Sequence, residues 1–186
     1  MKEIVLNETQ LNEIVEKIAK QLNLYYQNTK EPIYFVCVLK GASVFMNDLI
    51  KKINFPLIID YIQVSSYDGT SSTGVIHLKK DISEDITNKD VVIIEDIVDS
   101  GLTLKYLKDY INIKHHPRSI KICCLLNKKM ARKIPLDVDF VGYELVDNKF
   151  LIGYGLDYNE LLRNIPYIFV PTEEDLKTYD EVLKKN

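Results

Sequence analysis

The feature that most constrains the fold is an alternation of short apolar runs with stretches of helical spacing. The run 33–39, IYFVCVL, is entirely apolar and rich in β-branched and aromatic residues, which is typical of a strand buried on both faces. Before it, apolar residues within 11–22 recur at the spacing of one helix face, and Asn7 and Gln10 suit the start of that helix. Buried strands separated by helices assemble into parallel sheets. The sequence therefore predicts an α/β fold with a mostly parallel central sheet flanked by helices.

The same patterns extend along the whole chain. They predict helices over 11–22, 42–53, 102–111 and from Thr172 onward, and strands over 33–39, 57–64, 75–79, 91–94, 120–126, 138–141 and 167–170. No repeat or Gly/Ser linker interrupts them, and 186 residues is the size of one domain, so we expect a single domain over 1–186. The segment 65–74 is almost wholly Ser, Thr, Gly and Asp, and is either a lid or a plain exposed loop.

Charge and cysteine content exclude several function classes. Lys and Arg number 24 against 27 Asp and Glu, for a net charge of -3, which disfavours a protein built to coat nucleic acid or an anionic membrane. No apolar run is long enough to cross a bilayer. Cys37, Cys123 and Cys124 lie in apolar runs and are expected to be buried thiols in a reducing compartment. We therefore expect a cytoplasmic protein with neither nucleic-acid nor membrane partners.

The segment 91–104, VVIIEDIVDSGLTL, carries the strongest chemical signal. Two adjacent acids, Glu95 and Asp96, follow a β-branched run, and a tight turn then leads into a helix. Backbone N–H groups at a helix start bind phosphate well, and here the hydroxyls of Ser100 and Thr103 would add to them. The segment has neither the GxxxxGK[ST] nor the GxGxxG pattern. It predicts a phosphate-binding turn of another kind.

Two carboxylates beside a phosphate would repel it unless their charge is balanced. Either a divalent cation lies between them and the ligand, or they bind the hydroxyls of a phosphorylated sugar. The alternative is that Glu95 and Asp96 are merely solvated and that Asp99 and Ser100 only cap the helix. Ligands of parallel sheets bind at the carboxyl ends of strands, which favours the functional interpretation.

This segment resembles the phosphoribosyl pyrophosphate motif of the type I phosphoribosyltransferases: an apolar run, two acids, two apolar residues and D-[ST]-G-x-T. EDIVDSGLT, at 95–103, matches it throughout. Other segments resemble the hypoxanthine-guanine phosphoribosyltransferases, especially the short bacterial ones: LKGA at 39–42, SSYDGTSSTG at 65–74, LLNKK at 125–129 and DFVGYELVDNKFLIGYGLDYNELLRN at 139–164. Leu102 stands where some eukaryotic relatives have Lys, but its backbone N–H is the group expected to matter.

The resemblance implies a type I phosphoribosyltransferase fold with a small purine-side hood at about 145–170 and a flexible lid loop at 65–74. The implied reaction is magnesium-dependent transfer of the 5-phosphoribosyl group to N9 of hypoxanthine or guanine, through an oxocarbenium-like transition state. Its products are IMP or GMP, with pyrophosphate. Such enzymes usually form homodimers or homotetramers.

The resemblance also implies a role for individual residues. Asp99 would be the catalytic base at the purine N7 edge, and Glu95 and Asp96 would hold the ribose hydroxyls and magnesium. The expected 5′-phosphate contacts are Ser100, Gly101, Leu102 and Thr103. The expected purine contacts are Lys128 at the 6-oxo group, Phe150 by stacking, Leu151 through its carbonyl, and Asp157, which would also hold a second magnesium. Lys40, Gly41 and Arg163 would bind pyrophosphate, and Ser66 and Tyr67 would close the lid.

Three further points depend on the resemblance. It implies a strained or cis peptide at Lys40–Gly41. Because contacts to purine position 2 come from the backbone, a xanthine-preferring enzyme is an open alternative. A non-catalytic nucleic-acid-binding regulator on the same fold is a second one, but it predicts a basic face, and Asp99 favours catalysis.

Overall fold

The computed structural model describes residues 3–66 and 76–184, and orders them into eight strands and four α-helices. These elements are β1 (Glu3–Leu6), α1 (Glu8–Tyr25), β2 (Ile33–Leu39), α2 (Ala42–Ile50), β3 (Leu57–Ser66), β4 (Ile76–Lys80), β5 (Asp90–Val98), α3 (Leu102–His115), β6 (Ser119–Asn127), β7 (Phe140–Glu144), β8 (Ile168–Val170) and α4 (Glu173–Leu183). No helix among the described residues is both long and apolar enough to span a membrane.

The central sheet has six strands in the order β4-β3-β2-β5-β6-β7. All neighbouring pairs are parallel except β3 and β4, which are antiparallel. The carboxyl ends of β2, β5 and β6 therefore lie side by side at one edge of the sheet. The predicted α/β fold with a mostly parallel sheet is confirmed.

Two apolar layers cover the sheet, and the strand sequences explain why. Side chains alternate between faces along a strand, so Phe35 and Cys37 pack with α1 and α2, whereas Val36 and Val38 pack with α3. Every residue of β2 except the last is buried, as a strand covered on both faces requires. The three cysteines are buried and free, as the sequence predicts.

Several boundaries differ from the predictions. α2 ends at Ile50 rather than at residue 53, although Ile53 still packs against the core. β5 continues to Val98, so the two acids lie inside the strand instead of after it. The short strand β1, which the sequence analysis does not predict, pairs antiparallel with β8 in a second small sheet.

The segment 145–170, called the hood below, contributes β8 to this second sheet. Ile152 forms an antiparallel bridge with Phe169 of β8, and both side chains are buried. The structure describes only the first two residues of the predicted lid. Ser65 and Ser66 are the last residues of β3, while Tyr67 and the rest of the lid, up to Gly74, lie outside the described residues.

Candidate active site

The acid pair on β5 is the most unusual electrostatic feature of the sheet edge. Glu95 is buried at 8% exposure, and the backbone N–H of Asp96 donates to its Oε1 at 3.1 Å. Burial raises the pKa of Glu95 well above its usual value, and the neighbouring Asp96 carboxylate raises it further. Burial also raises the pKa of Asp96, although Glu95, the Ile97 N–H and Arg163 partly offset that effect. The negative charge of the pair is therefore only partly balanced within the protein.

The turn from β5 into α3 has the geometry of an anion site. Gly101 is the N-cap of α3, and its φ of 84° is in the left-handed region that favours glycine. No side chain caps the helix and its first turn contains no acid, although the Ser100 hydroxyl accepts from the Leu102 N–H at 3.3 Å. Apart from that of Leu102, the first N–H groups of the helix are thus available to an anion.

The acid pair and the helix start line one cavity of about 170 Å³. Its walls include Glu95, Asp96, Asp99, Ser100, Gly101 and Thr103. The side chain of Asp99 is exposed at this cavity, and that of Leu102, at 43% exposure, is not among its lining residues. The structure thus brings together the residues expected to contact ribose and 5′-phosphate, with the exception of Leu102.

A chain of close contacts joins β2, β5 and the hood. A Cβ atom placed on Gly41 would lie 1.6 Å from Asp96 Oδ2, so the carboxylate lies directly against this glycine. A Cβ on Gly155, whose φ is 99°, would lie 2.1 Å from the Gly41 carbonyl oxygen. The cis peptide of this region is Leu39–Lys40, one bond earlier than the Lys40–Gly41 bond that the resemblance implies.

Lys40 and Arg163, the two cations expected to bind pyrophosphate, meet through a third residue, Glu160. Arg163 Nη1 donates to the Gly155 carbonyl at 2.8 Å, and its Nη2 lies 2.9 Å from Asp157 Oδ1. Glu160 pairs with both Lys40, at 3.0 Å, and Arg163, at 3.2 Å. The sequence analysis missed Glu160 and Gly155. The second glycine of GYG was a usable signal for Gly155, but Glu160 had none beyond its place in the run GLDYNELLRN.

On the purine side, Lys128 is buried at 6% exposure despite its charge. Its ammonium donates to the Lys149 carbonyl at 2.7 Å, and its N–H donates to the Val98 carbonyl at 2.9 Å. Lys128 therefore connects β5 with the hood. Phe150 follows Lys149 and is half exposed, with its ring 6.3 Å from that of Tyr158 in an edge-to-face arrangement. The next residue, Leu151, is buried.

The donor set fits a hard divalent cation. Glu95 and Asp96 offer adjacent carboxyl groups whose ionised forms are disfavoured by burial, and a bound cation would favour those forms. Among residues 3–66 and 76–184, no group of three or more His, Cys, Asp or Glu side chains is arranged to hold a metal ion. Glu95, Asp96 and Asp157 thus do not form one preformed three-ligand site. Such a set suits an ion that takes one or two carboxylates and completes its shell with substrate and water.

Comparison with known proteins agrees with this geometry. Residues 3–159 match the phosphoribosyl transferase domain model. A hypoxanthine-guanine phosphoribosyltransferase of Staphylococcus aureus is 43% identical over 169 residues, which are 90% of this chain and 92% of the relative.

Two solved structures are also similar. The crystal structure of a Bacillus anthracis hypoxanthine-guanine phosphoribosyltransferase has a TM-score of 0.86 and 41% identity, covering 92% of this chain and 99% of that one. The hypoxanthine phosphoribosyltransferase of Trypanosoma cruzi, solved with the product IMP, has a TM-score of 0.84 and 33% identity, covering 92% and 95%. The resemblance seen in the sequence is confirmed: the chain belongs to the hypoxanthine-guanine phosphoribosyltransferases, the phosphoribosyl-transferring enzymes of purine salvage.

Proposed function

We propose that the enzyme transfers the 5-phosphoribosyl group of phosphoribosyl pyrophosphate to N9 of hypoxanthine or guanine, forming IMP or GMP. One observation carries the proposal: the acid pair, the free N-terminus of α3 and Asp99 line the same cavity. The ligand that suits such a cavity has an anionic group, hydroxyls and a reacting centre within a few ångströms of each other. The Trypanosoma cruzi relative solved with IMP supports the choice of product.

In this proposal the substrate phosphate and ribose bind at the β5–α3 turn. The backbone N–H groups and hydroxyls of Ser100, Gly101, Leu102 and Thr103 bind the 5′-phosphate. Glu95 and Asp96 accept hydrogen bonds from the ribose 2′- and 3′-hydroxyls. Their negative charge also stabilises the positive charge that develops on the sugar ring in an oxocarbenium-like transition state.

Asp99 is the proposed general base. Its exposed side chain belongs to the cavity wall, where it would accept the proton, or the hydrogen bond, of the purine N7 edge. Asp99→Asn keeps the size of the side chain but cannot take up a proton. We expect it to lower turnover by about 10²- to 10⁴-fold with the affinity for phosphoribosyl pyrophosphate nearly unchanged.

The purine is bound from the hood side. The Lys128 ammonium, already fixed by the Lys149 carbonyl, has further N–H bonds to donate to the purine 6-oxo group. A 6-amino group would set donor against donor, which disfavours adenine. The half-exposed ring of Phe150 stacks on the base, the Leu151 carbonyl accepts from the guanine 2-amine, and Asp157 lies at the far edge.

Pyrophosphate leaves toward the carboxyl end of β2. Lys40 and Arg163 supply positive charge there, and Gly41 supplies a backbone N–H with no side chain in the way. Ser66 and Tyr67 belong to the proposed lid, which would exclude water from the sugar cation and so favour transfer over hydrolysis.

Phosphoribosyltransferases of this family generally depend on a divalent metal ion. We propose Mg²⁺, with Glu95 and Asp96 contributing to one ion and Asp157 to a second. The ion would neutralise charge on the pyrophosphate group that leaves.

The enzyme acts on small molecules, as its family does. We propose that it assembles as a homodimer or homotetramer, which size-exclusion chromatography with light scattering measures directly. We also propose a cytoplasmic location. Three buried free thiols agree with a reducing compartment.

A spectrophotometric assay tests the reaction itself. Protein, Mg²⁺ and phosphoribosyl pyrophosphate are mixed with hypoxanthine, guanine, xanthine or adenine in separate cuvettes, with Asp99→Asn as the matched control. We expect turnover of hypoxanthine and guanine, none of adenine, and a large loss in the variant. Xanthine turnover faster than that of the other bases would replace the proposed specificity, and no turnover of any base would overturn the proposal.

A further inference from the structure

One acidic side chain near the proposed pyrophosphate site has no role so far. The Glu160 carboxylate lies 3.0 Å from Lys40 Nζ and 3.2 Å from Arg163 Nη2. In the part of the chain that the structure describes, Glu160 is the one acidic partner of the Lys40 ammonium. The two cations expected to bind pyrophosphate are therefore bridged by an anion of the protein itself.

The backbone conformation of Glu160 is also unusual. Glu160 has a φ of 69°, in the left-handed region that glycine adopts readily and a glutamate rarely does. Its N–H donates to Asp157 Oδ2 at 2.9 Å, which helps to keep the turn in this conformation. Strained residues of this kind cluster at functional sites, where the strain is held by the surrounding structure.

Arg163 does not depend on Glu160 for its position. Its Nη1 donates to the Gly155 carbonyl at 2.8 Å, and Asp157 pairs with its Nη2 at 2.9 Å. The Glu160 side chain, in contrast, is 63% exposed. A side chain this exposed can turn toward water when a stronger anion arrives, because little packing holds it in place.

We propose that Glu160 is a built-in competitor for the pyrophosphate group. Its carboxylate bridges Lys40 and Arg163 in the empty enzyme, is displaced when the pyrophosphate moiety binds, and returns as the product leaves. Glu160 thereby weakens the binding of pyrophosphate and speeds its release. The inference rests on the proposed function, since it takes Lys40 and Arg163 as the pyrophosphate contacts.

Calorimetric titration of the whole protein with magnesium pyrophosphate tests the inference. Glu160→Gln keeps the size of the side chain and removes its charge, so Lys40 and Arg163 become available to the ligand. We expect the dissociation constant to fall by about 3- to 10-fold, the size of two exposed ion pairs. Glu160→Gly, which also suits the left-handed backbone, should lower the dissociation constant as well.

Glu13→Gln is the matched control, because Glu13 is exposed on α1 and the substitution changes the net charge equally. It should leave the dissociation constant unchanged. In a Lys40→Met background, Glu160→Gln should increase the affinity for magnesium pyrophosphate by less, since one of the two cations that Glu160 occupies is gone.

Three outcomes would overturn the inference, and they have different meanings. Unchanged or weaker binding by Glu160→Gln, with normal binding by the wild type, overturns the competition alone and leaves the proposed reaction in place. An equal gain in Glu13→Gln would attribute the effect to net charge. No binding of magnesium pyrophosphate by the wild type would overturn both the inference and the proposed pyrophosphate site.

Discussion

Two acidic positions of the central sheet, Asp60 on β3 and Glu95 on β5, are nearly equally buried, at 5% and 8% exposure. Their surroundings are opposite. Asp60 accepts from the backbone N–H groups of Tyr61 at 2.6 Å, Ser83 at 2.6 Å and Glu84 at 2.8 Å. Glu95 accepts from the Asp96 N–H at 3.1 Å and has a second carboxylate as its neighbour.

The pKa values follow from these partners. Burial alone would raise the pKa of Asp60, but the N–H donors of Glu84, Tyr61 and Ser83, together with Lys80, outweigh it, and the pKa is lowered. For Glu95, burial and Asp96 act in the same direction and the pKa is raised. One carboxylate is satisfied by the protein's own donors, and the other has capacity left for a ligand. The difference separates a structural acid from the acid that we propose binds the substrate.

The largest effect of this difference is expected on enzymatic activity. Glu95→Gln keeps the shape of the side chain but removes a charge from beside the proposed sugar cation. We expect kcat/KM for phosphoribosyl transfer to fall by about 10²- to 10³-fold. In the same steady-state assay, the exposed control Glu13→Gln should keep wild-type values. A fully active Glu95→Gln enzyme would show that the unbalanced charge has no catalytic use.

The second test is stability, and here Asp60 should have the larger effect. Asp60→Ala removes the buried carboxylate that accepts from the part-buried N–H groups of Ser83 and Glu84. We expect the free energy of unfolding to fall by about 2–3 kcal/mol in a denaturant titration. Glu13→Ala, at an exposed helix position, serves as the control. If the free energy of unfolding falls as little as in the control, the hydrogen bonds of Asp60 do not stabilise the fold.

The third test again measures stability, but here the substitution is expected to stabilise the protein. Glu95→Gln removes one of two adjacent buried charges, so without magnesium or substrate it should raise the free energy of unfolding by about 1 kcal/mol. The measurement is a denaturant titration in buffer with a chelator. If the variant is destabilised instead, Glu95 has donors in the folded protein that balance its charge, and the contrast with Asp60 fails.

The smallest expected effect is on pH dependence. Because the folded pKa of Asp60 is lowered, its ionised form adds stability above the unfolded value of about 3.9. That stability is lost as the pH falls from there through the folded pKa. Thermal unfolding measured between about pH 5 and pH 2 should therefore show a shallower loss of stability for Asp60→Asn than for wild type. Parallel curves would contradict the lowered pKa.

What the sequence reveals depends on how local the structure is. Ile33–Leu39 has the predicted boundaries, because a strand buried on both faces has an unbroken apolar run. The capping box of Asn7 and Gln10 is equally local and forms as expected. Residue 53 was placed in a helix because an apolar pattern reports burial, and Ile53 is in contact with the core without being helical.

The candidate site follows the same rule. Glu95 to Thr103 is one continuous strand–turn–helix segment, so its motif was visible and its cavity forms where expected. The contact between Lys40 and Glu160 joins residues 120 positions apart, one in the turn after β2 and the other in the irregular stretch between β7 and β8. It depends on the left-handed backbone at Glu160, which no propensity predicts for this residue type.

The pairing of β1 with β8 has a consequence for synthesis on the ribosome. β1 emerges early, whereas β8 and the bridging Ile152 lie near the other end of the described chain. At about 5–20 residues per second, β1 waits on the order of ten seconds for its partner. During that interval α1, which follows β1 directly, can already dock on the growing sheet. The nascent chain can thus form its central sheet before β1 and β8 pair, so the hood, which contains β8, is completed after the sheet edge that carries the acid pair.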